Sequence, residues 1–330
     1  MTVHGTETEK PSPRLKRAKR YRGSTWAQRF VRSEGVERLV AFVARHLIRF
    51  VRWIGRRRAT AIVLFLVRAI GPLLAENKTA ANNLAQALPQ KSAAERAAIL
   101  RGCWENFASV AVEFLFLEEM TASFDPARPD AGPITVSGID QFVALRDDGR
   151  TAVIFTAHLA NWEVLGVIAT KFGLKTVLPY RAPSNAHFAD DLLAEREALM
   201  GTLVPNSRGA AFEIAAAMEA GAHLGMLVDQ RLVAGLRVPF FGHPAMTNPL
   251  AARFARQFDC PVHGARAIRL PGGRLHLELT PPVDMPRDGD GLIDIEAATA
   301  KITGVVEGWV REHPEQWLWL HDRWMFPRPR

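Results

Sequence analysis

Only two cysteines occur in the 330-residue chain, Cys103 and Cys260, and neither has a CxxC partner. That scarcity argues against a disulfide framework or a cysteine zinc site and fits a reducing compartment. Also absent are a GxSxG elbow, a Walker loop, a GxGxxG turn after a strand and an HExxH helix. Serine-hydrolase, P-loop, dinucleotide and zincin chemistries therefore lack their signatures. His187, His223, His243 and His263 show no ligand spacing and read as structural or surface groups, so no metal and no cofactor is expected. There is no internal repeat and no low-complexity tract. No short apolar core with a small-residue cleavage site directly follows the basic front of the chain, so a signal peptide is not expected.

What is present has the bulk of one large α/β domain with an appendage, at 48% hydrophobic residues. The net charge of +8 favours anionic partners: nucleic acid, anionic lipid or an acidic carrier protein. The excess is concentrated in "PRLKRAKRYRG" and the arginines that follow, within residues 13–32, which read as a basic arm. Next comes "ERLVAFVARHLIRFVRWIGRRR", where Leu39, Val40, Val43, Leu47, Phe50, Val51 and Ile54 recur at helical spacing. Arg45, Arg49, Arg52 and Arg56 form a separate stripe. A basic amphipathic helix carrying Phe and Trp reads as lying in a membrane surface; the alternative is a helix packed on the chain's own core. Central arginines, each costing about 2.5–3.5 kcal/mol on insertion, make spanning unfavourable. The more apolar run over residues 59–75 suits either a core helix or a deeper dip into lipid. Residues 1–57 are thus set apart from a domain at 58–330. Nucleic acid is not expected, because the aromatics lie on an apolar helical stripe rather than on an RNP-type strand.

From about residue 79 to residue 120 the pattern is helical, and Ser92 followed by Glu95 has the spacing of a capping box. Beyond "DPARPDAGP" the segments "ITVSG", "TAVIFTA", "KTVLPY", "HLGMLVD", "CPVHGARAI" and "LHLELT" read as strands, several of them separated by helices. This alternation predicts a mostly parallel central sheet flanked by helices.

The sharpest local feature is "TAHLANWEVLG" at 156–166. A buried strand ends at His158, and a helix begins near Glu163 and stops at Gly173. Residues i and i+5 do not face each other on a continuous helix. The two side chains meet only if His158 lies in the turn and Glu163 in the first helical turn, with Asn161 as N-cap and Glu163 near N2. Glu163 would then orient the imidazole, leaving its second nitrogen to deprotonate a substrate hydroxyl. A turn histidine beside a merely capping Glu has the same spacing. Without a protein nucleophile, the pair suggests direct attack by a substrate hydroxyl or by water.

"HLANWE" resembles the HX4D/E motif of the lysophospholipid acyltransferase superfamily. Other blocks resemble its lipid A biosynthesis branch, the lauroyl/myristoyl acyltransferases. "NNLAQALP" is similar to an upstream block, with Leu88 in place of an aromatic. "PYRAPSN" is similar to a Tyr-Arg-Pro…Asn segment with Pro183 one place late, and "LVDQR" and "VPFFGHPAMTNPLAARFARQFDCPV" also fit. "HPEQWLWLHDRW" resembles the C-terminal signature, with Asp322 and Trp324 where Arg and Phe are usual. The Phe-Pro-Glu-Gly block of the glycerolipid branch is missing, which counts against a glycerol-3-phosphate or lysophosphatidate substrate.

The resemblance implies a glycerolipid acyltransferase-like fold over roughly residues 55–325. It implies transfer of a fatty acyl chain from acyl carrier protein to a hydroxyl of a Kdo-bearing lipid A precursor at the cytoplasmic face of the inner membrane. His158 would be the base and Glu163 its orienter. Arg181 is a candidate for a phosphate or the oxyanion, or else a surface ion pair, and Arg208 is a further candidate anion contact. Asp229 and Gln230 end a strand and either hold the sugar, support the dyad or serve as buried structural groups. Another glycolipid or an amino lipid is the alternative acceptor, and a membrane-binding scaffold with a dead site is the rival from another class.

Overall fold

The computed structural model describes residues 34–182 and 194–326. The basic arm at 13–32, together with Pro183, Asn185 and His187, lies outside the described residues. Helix α1 (Glu34–Ile54) is followed by α2 (Arg56–Ile70), α3 (Ala75–Ala87), α4 (Ala93–Glu113) and the short α5 (Leu117–Ala122). The expected capping box opens α4: Ser92 Oγ accepts from the Glu95 amide at 3.2 Å, and the Glu95 carboxylate accepts from the Ser92 amide at 2.7 Å.

The rest alternates as expected: β1 (Ile134–Ser137), α6 (Ile139–Asp147), β2 (Val153–Thr156), α7 (Glu163–Lys171) and β3 (Thr176–Tyr180). A helix over 194–200, here α8, leads to β4 (Thr202–Pro205), α9 (Ala210–Glu219) and β5 (His223–Leu227). Then come β6 (Arg231–Phe240), β7 (His243–Thr247), α10 (Leu250–Phe258), β8 (Val262–Leu270), β9 (Arg274–Pro282) and α11 (Ile295–Glu312). Seven strands form one sheet in the order β1-β9-β8-β2-β5-β3-β4, in which only β8 and β9 pair antiparallel.

Both faces of that sheet are covered, and this is why its central strands are continuous apolar runs rather than alternating ones. Val153 and Phe155 of β2 join one core with α3, α9, α10 and α11. Ile154 faces a second core with α6, α7 and the β9 leucines. Three strands are additional to the expected six. Strand β4 is only four residues long and ends at Pro205. Strands β6 and β7 form a separate two-stranded ribbon in which Pro239 stands opposite Pro244. Two edges and no interior let that ribbon carry prolines that read as strand breakers in the sequence.

Helix α1 leaves Leu39, Val40, Phe42, Val43, Leu47, Phe50 and Trp53 exposed, and α2 does the same with Ile62, Phe65, Leu66 and Ile70. Val51 and Ile54, expected on that stripe, pack instead against the second core. Arg52 also turns toward the body, where both guanidinium nitrogens reach Glu195, at 3.2 and 2.6 Å. Among the described residues no single helix is long and apolar enough to cross a membrane. The pair formed by residues 56–73 and 75–87 passes by length and composition but is bent by 76°.

Candidate active site

The carboxyl ends of the parallel strands gather the candidate residues at one edge, where open α/β sheets bind ligands. Strand β2 delivers His158, β5 delivers Asp229 and Gln230, β3 delivers Arg181, and β4 leads to Arg208. Register explains the central pairing. Thr156 lies opposite Leu227 across the β2–β5 ladder, so two residues further on His158 and Asp229 stand at the same height.

The carboxylate that holds His158 is Asp229, not Glu163. Asp229 Oδ1 accepts from His158 Nδ1 at 2.7 Å, and its Oδ2 accepts from the His158 amide at 2.8 Å. The indole Nε1 of Trp317 donates to the same Oδ2 at 2.7 Å. Three donors thus converge on a side chain that is 2% exposed. Burial pushes the Asp229 carboxyl up, but the charge on His158 and these hydrogen bonds outweigh it and bring it from 3.8 down to about 2. Because the folded value is depressed, ionised Asp229 stabilises the fold above the ordinary carboxylate range. That contribution disappears as pH falls toward 2. Donation from Nδ1 leaves Nε2 as the basic lone pair, which faces Gln230 Nε2 at 3.1 Å.

Glu163 turns the other way. Its Oε2 accepts from Arg196 at 2.5 Å and its Oε1 from the Trp162 indole at 3.2 Å. The expected His158–Glu163 hydrogen bond is therefore replaced by an Arg196–Glu163 pair. The cause is local geometry: α7 begins at Glu163 itself, so the side chain leaves from the first helical residue rather than from N2. Asn161 is not the N-cap, a place that falls to Trp162; it stands one residue earlier, where its Oδ1 accepts from the Glu163 amide at 3.2 Å. The helix stop at Gly173 (φ +86°) is as expected, with the Leu174 amide reaching back to the Ala169 carbonyl at 3.1 Å. Arg181 and Arg208 are exposed at the same edge.

A buried polar network unseen in the sequence reading braces the turn between His158 and Glu163. Asn161 Nδ2 donates to Glu113 Oε2 at 2.9 Å, and Arg269 grips both Glu113 oxygens at 2.6 and 2.8 Å. Asn106 accepts from Arg269 Nε and donates to the carbonyls of Ala160 and Gln316. Gln316 in turn brackets the Arg269 backbone. Ala160 sits at φ +46°, a left-handed value that costs a non-glycine residue free energy and persists only when its surroundings hold it. Here the Ala160 amide donates to the Gln316 carbonyl at 3.0 Å, and the Leu318 amide donates to the His158 carbonyl at 3.2 Å. The C-terminal "PEQWLW" is thus a strap zipped onto the turn, and its Trp317 reaches Asp229. The available signal was Asn106 and Glu113 on the apolar side of "WENFASVAVE" in α4, where both are buried.

Beside this edge lies an apolar cavity of about 110 Å³, walled by Trp162, Leu165, Gly166, Leu178, Met200 and Met226. Trp162 connects the two, with its ring meeting the imidazole edge-on at 4.8 Å. Glu163, Arg196 and Tyr180 are among the polar groups that line it. The arrangement therefore offers an oriented base, room for an apolar chain, and exposed cations at one strand edge.

Residues 32–325 match the family described as bacterial lipid A biosynthesis acyltransferase. No curated protein matches the chain.

Proposed function

The chain belongs to the bacterial lipid A biosynthesis acyltransferase family, and we propose that it moves a fatty acyl chain from an acyl carrier protein thioester to a hydroxyl of a Kdo-bearing lipid A precursor. The observation that carries this reading is the His158–Asp229 pair at 2.7 Å beside an apolar cavity. His158 Nε2 takes the proton of the acceptor hydroxyl while Asp229 stabilises the imidazolium. The acceptor oxygen bonds to the thioester carbonyl carbon, the C–S bond breaks, and the imidazolium returns the proton to the leaving thiolate. The turn amides of His158, Leu159, Ala160 and Glu163 are already engaged. Charge developing on the carbonyl oxygen falls to the remaining amides of the turn, those of Asn161 and Trp162, at the positive end of α7, and to side-chain donors.

Incubating the protein with acyl carrier thioester and the Kdo-bearing precursor should add one acyl mass to the precursor, with glycerol 3-phosphate left untouched. Acylation of glycerol 3-phosphate, or of other glycolipids or amino lipids in preference to the precursor, would defeat the substrate assignment. Arg181 supports an anionic acceptor. Arg181→Ala should raise the acceptor KM about tenfold, the effect of losing one charge-assisted hydrogen bond. Arg181→Lys should restore only part of the affinity, because an ammonium lacks the bidentate fork. An unchanged KM would return Arg181 to the surface.

The exposed apolar faces of α1 and α2 support attachment to the cytoplasmic face of the inner membrane, with Arg45 and Arg49 near the lipid phosphates. Reversing both charges to Glu should weaken binding to anionic vesicles at least about tenfold, since each basic residue near such a surface contributes about 1 kcal/mol. Arg52 is unsuited to this test because it holds Glu195. Co-sedimentation insensitive to both charge reversal and salt would contradict an interfacial attachment.

A further inference from the structure

The lone pair that must receive the acceptor's proton is already occupied. Asp229 takes the hydrogen on His158 Nδ1, so Nε2 can only accept. The amide nitrogen of Gln230, which can only donate, rests on it at 3.1 Å. The reverse amide orientation would set a carbonyl oxygen against a lone pair and is excluded by the tautomer that Asp229 imposes. Gln230 is exposed, and its side chain can swing aside for the loss of that one hydrogen bond.

We propose that Gln230 is a displaceable cap on the catalytic base that discriminates the acceptor alcohol from water. This rests on the acyl-thioester reading given above. Transfer and hydrolysis share the same first step: an O–H proton passes to Nε2, the oxygen bonds to the carbonyl carbon, and the C–S bond breaks as the thiolate takes the proton. Only the nucleophile differs. A bound acceptor displaces the amide using binding energy from its remote parts, as enzymes use such energy to reorganise a reacting centre. Water brings no remote contacts, so it competes with the amide on equal terms and gains little. Gln230 is therefore a specificity-determining group beside the base.

Two readouts test this. The first is the rate at which diethyl pyrocarbonate modifies His158, followed by peptide mass spectrometry on the full chain. Gln230→Ala and Gln230→Met should both speed that modification about fivefold, the factor matching one side-chain hydrogen bond of ordinary net strength. The second is the ratio of free fatty acid to acylated acceptor formed from the carrier thioester, which should rise by a similar factor in both variants. Unchanged modification of His158 overturns the cap. Faster modification with an unchanged ratio overturns the discrimination. A wild-type protein that neither transfers nor hydrolyses the thioester overturns the acyltransfer reading and the discrimination with it, while the modification rate still decides the cap.

Discussion

Asp229→Asn should lower kcat by on the order of 10³- to 10⁴-fold while leaving a folded protein, the scale seen when a triad carboxylate is replaced by its amide. The argument follows from the three donors. The asparagine oxygen is drawn to the Oδ2 position, where the His158 amide and the Trp317 indole both need an acceptor. Its amino group is then forced opposite His158 Nδ1. A donor there selects the tautomer with hydrogen on Nε2, and the ring presents no lone pair to the acceptor hydroxyl. Glu163→Gln should cost less, because the amide oxygen still serves the Trp162 indole and the ion pair and hydrogen bond lost are those with Arg196, not with His158. Steady-state kinetics of both variants decide the matter. A larger loss in Glu163→Gln than in Asp229→Asn would restore Glu163 as the orienting carboxylate.

The second large effect is on stability. Arg269→Met leaves Glu113, with its side chain only 5% exposed, as an unpaired buried carboxylate and should cost about 3–5 kcal/mol. Adding Glu113→Leu should recover much of that loss, since replacing both members of a buried pair by apolar groups is often near neutral. Activity should not recover with it. The added change removes the acceptor of Asn161, and the strained Ala160 turn would lose part of its bracing. Urea midpoints and acyl-transfer rates on the same two proteins separate these effects. Recovery of both together would mean that the network serves packing alone.

Periodicity and punctuation carried much of the fold. The apolar runs, the Ser92–Glu95 box and the Gly173 stop are each decided by neighbours within a few residues. The additional ribbon β6–β7 went unread because its prolines obey the rules of a sheet with no interior. The site was legible as a place more than as a set of partners. His158, Asp229 and Gln230 were recognisable as groups at strand ends. That β2 and β5 are neighbours in register is a property of sheet order, which no local pattern encodes. The five-residue spacing therefore directed attention to Glu163, although the partner of the imidazole is 71 residues away. Arg196, Arg269 and Gln316 act through contacts of the same long-range kind.

The direct test of a base held by Asp229 is the protonation state of each His158 nitrogen, read by nitrogen-15 NMR in histidine-labelled protein at a pH where the ring is neutral. Hydrogen on Nδ1 and a bare Nε2 in the wild-type chain, inverted in Asp229→Asn, is the result the geometry predicts. Hydrogen on Nε2 in the wild-type chain, or a tautomer that ignores the substitution, would contradict it.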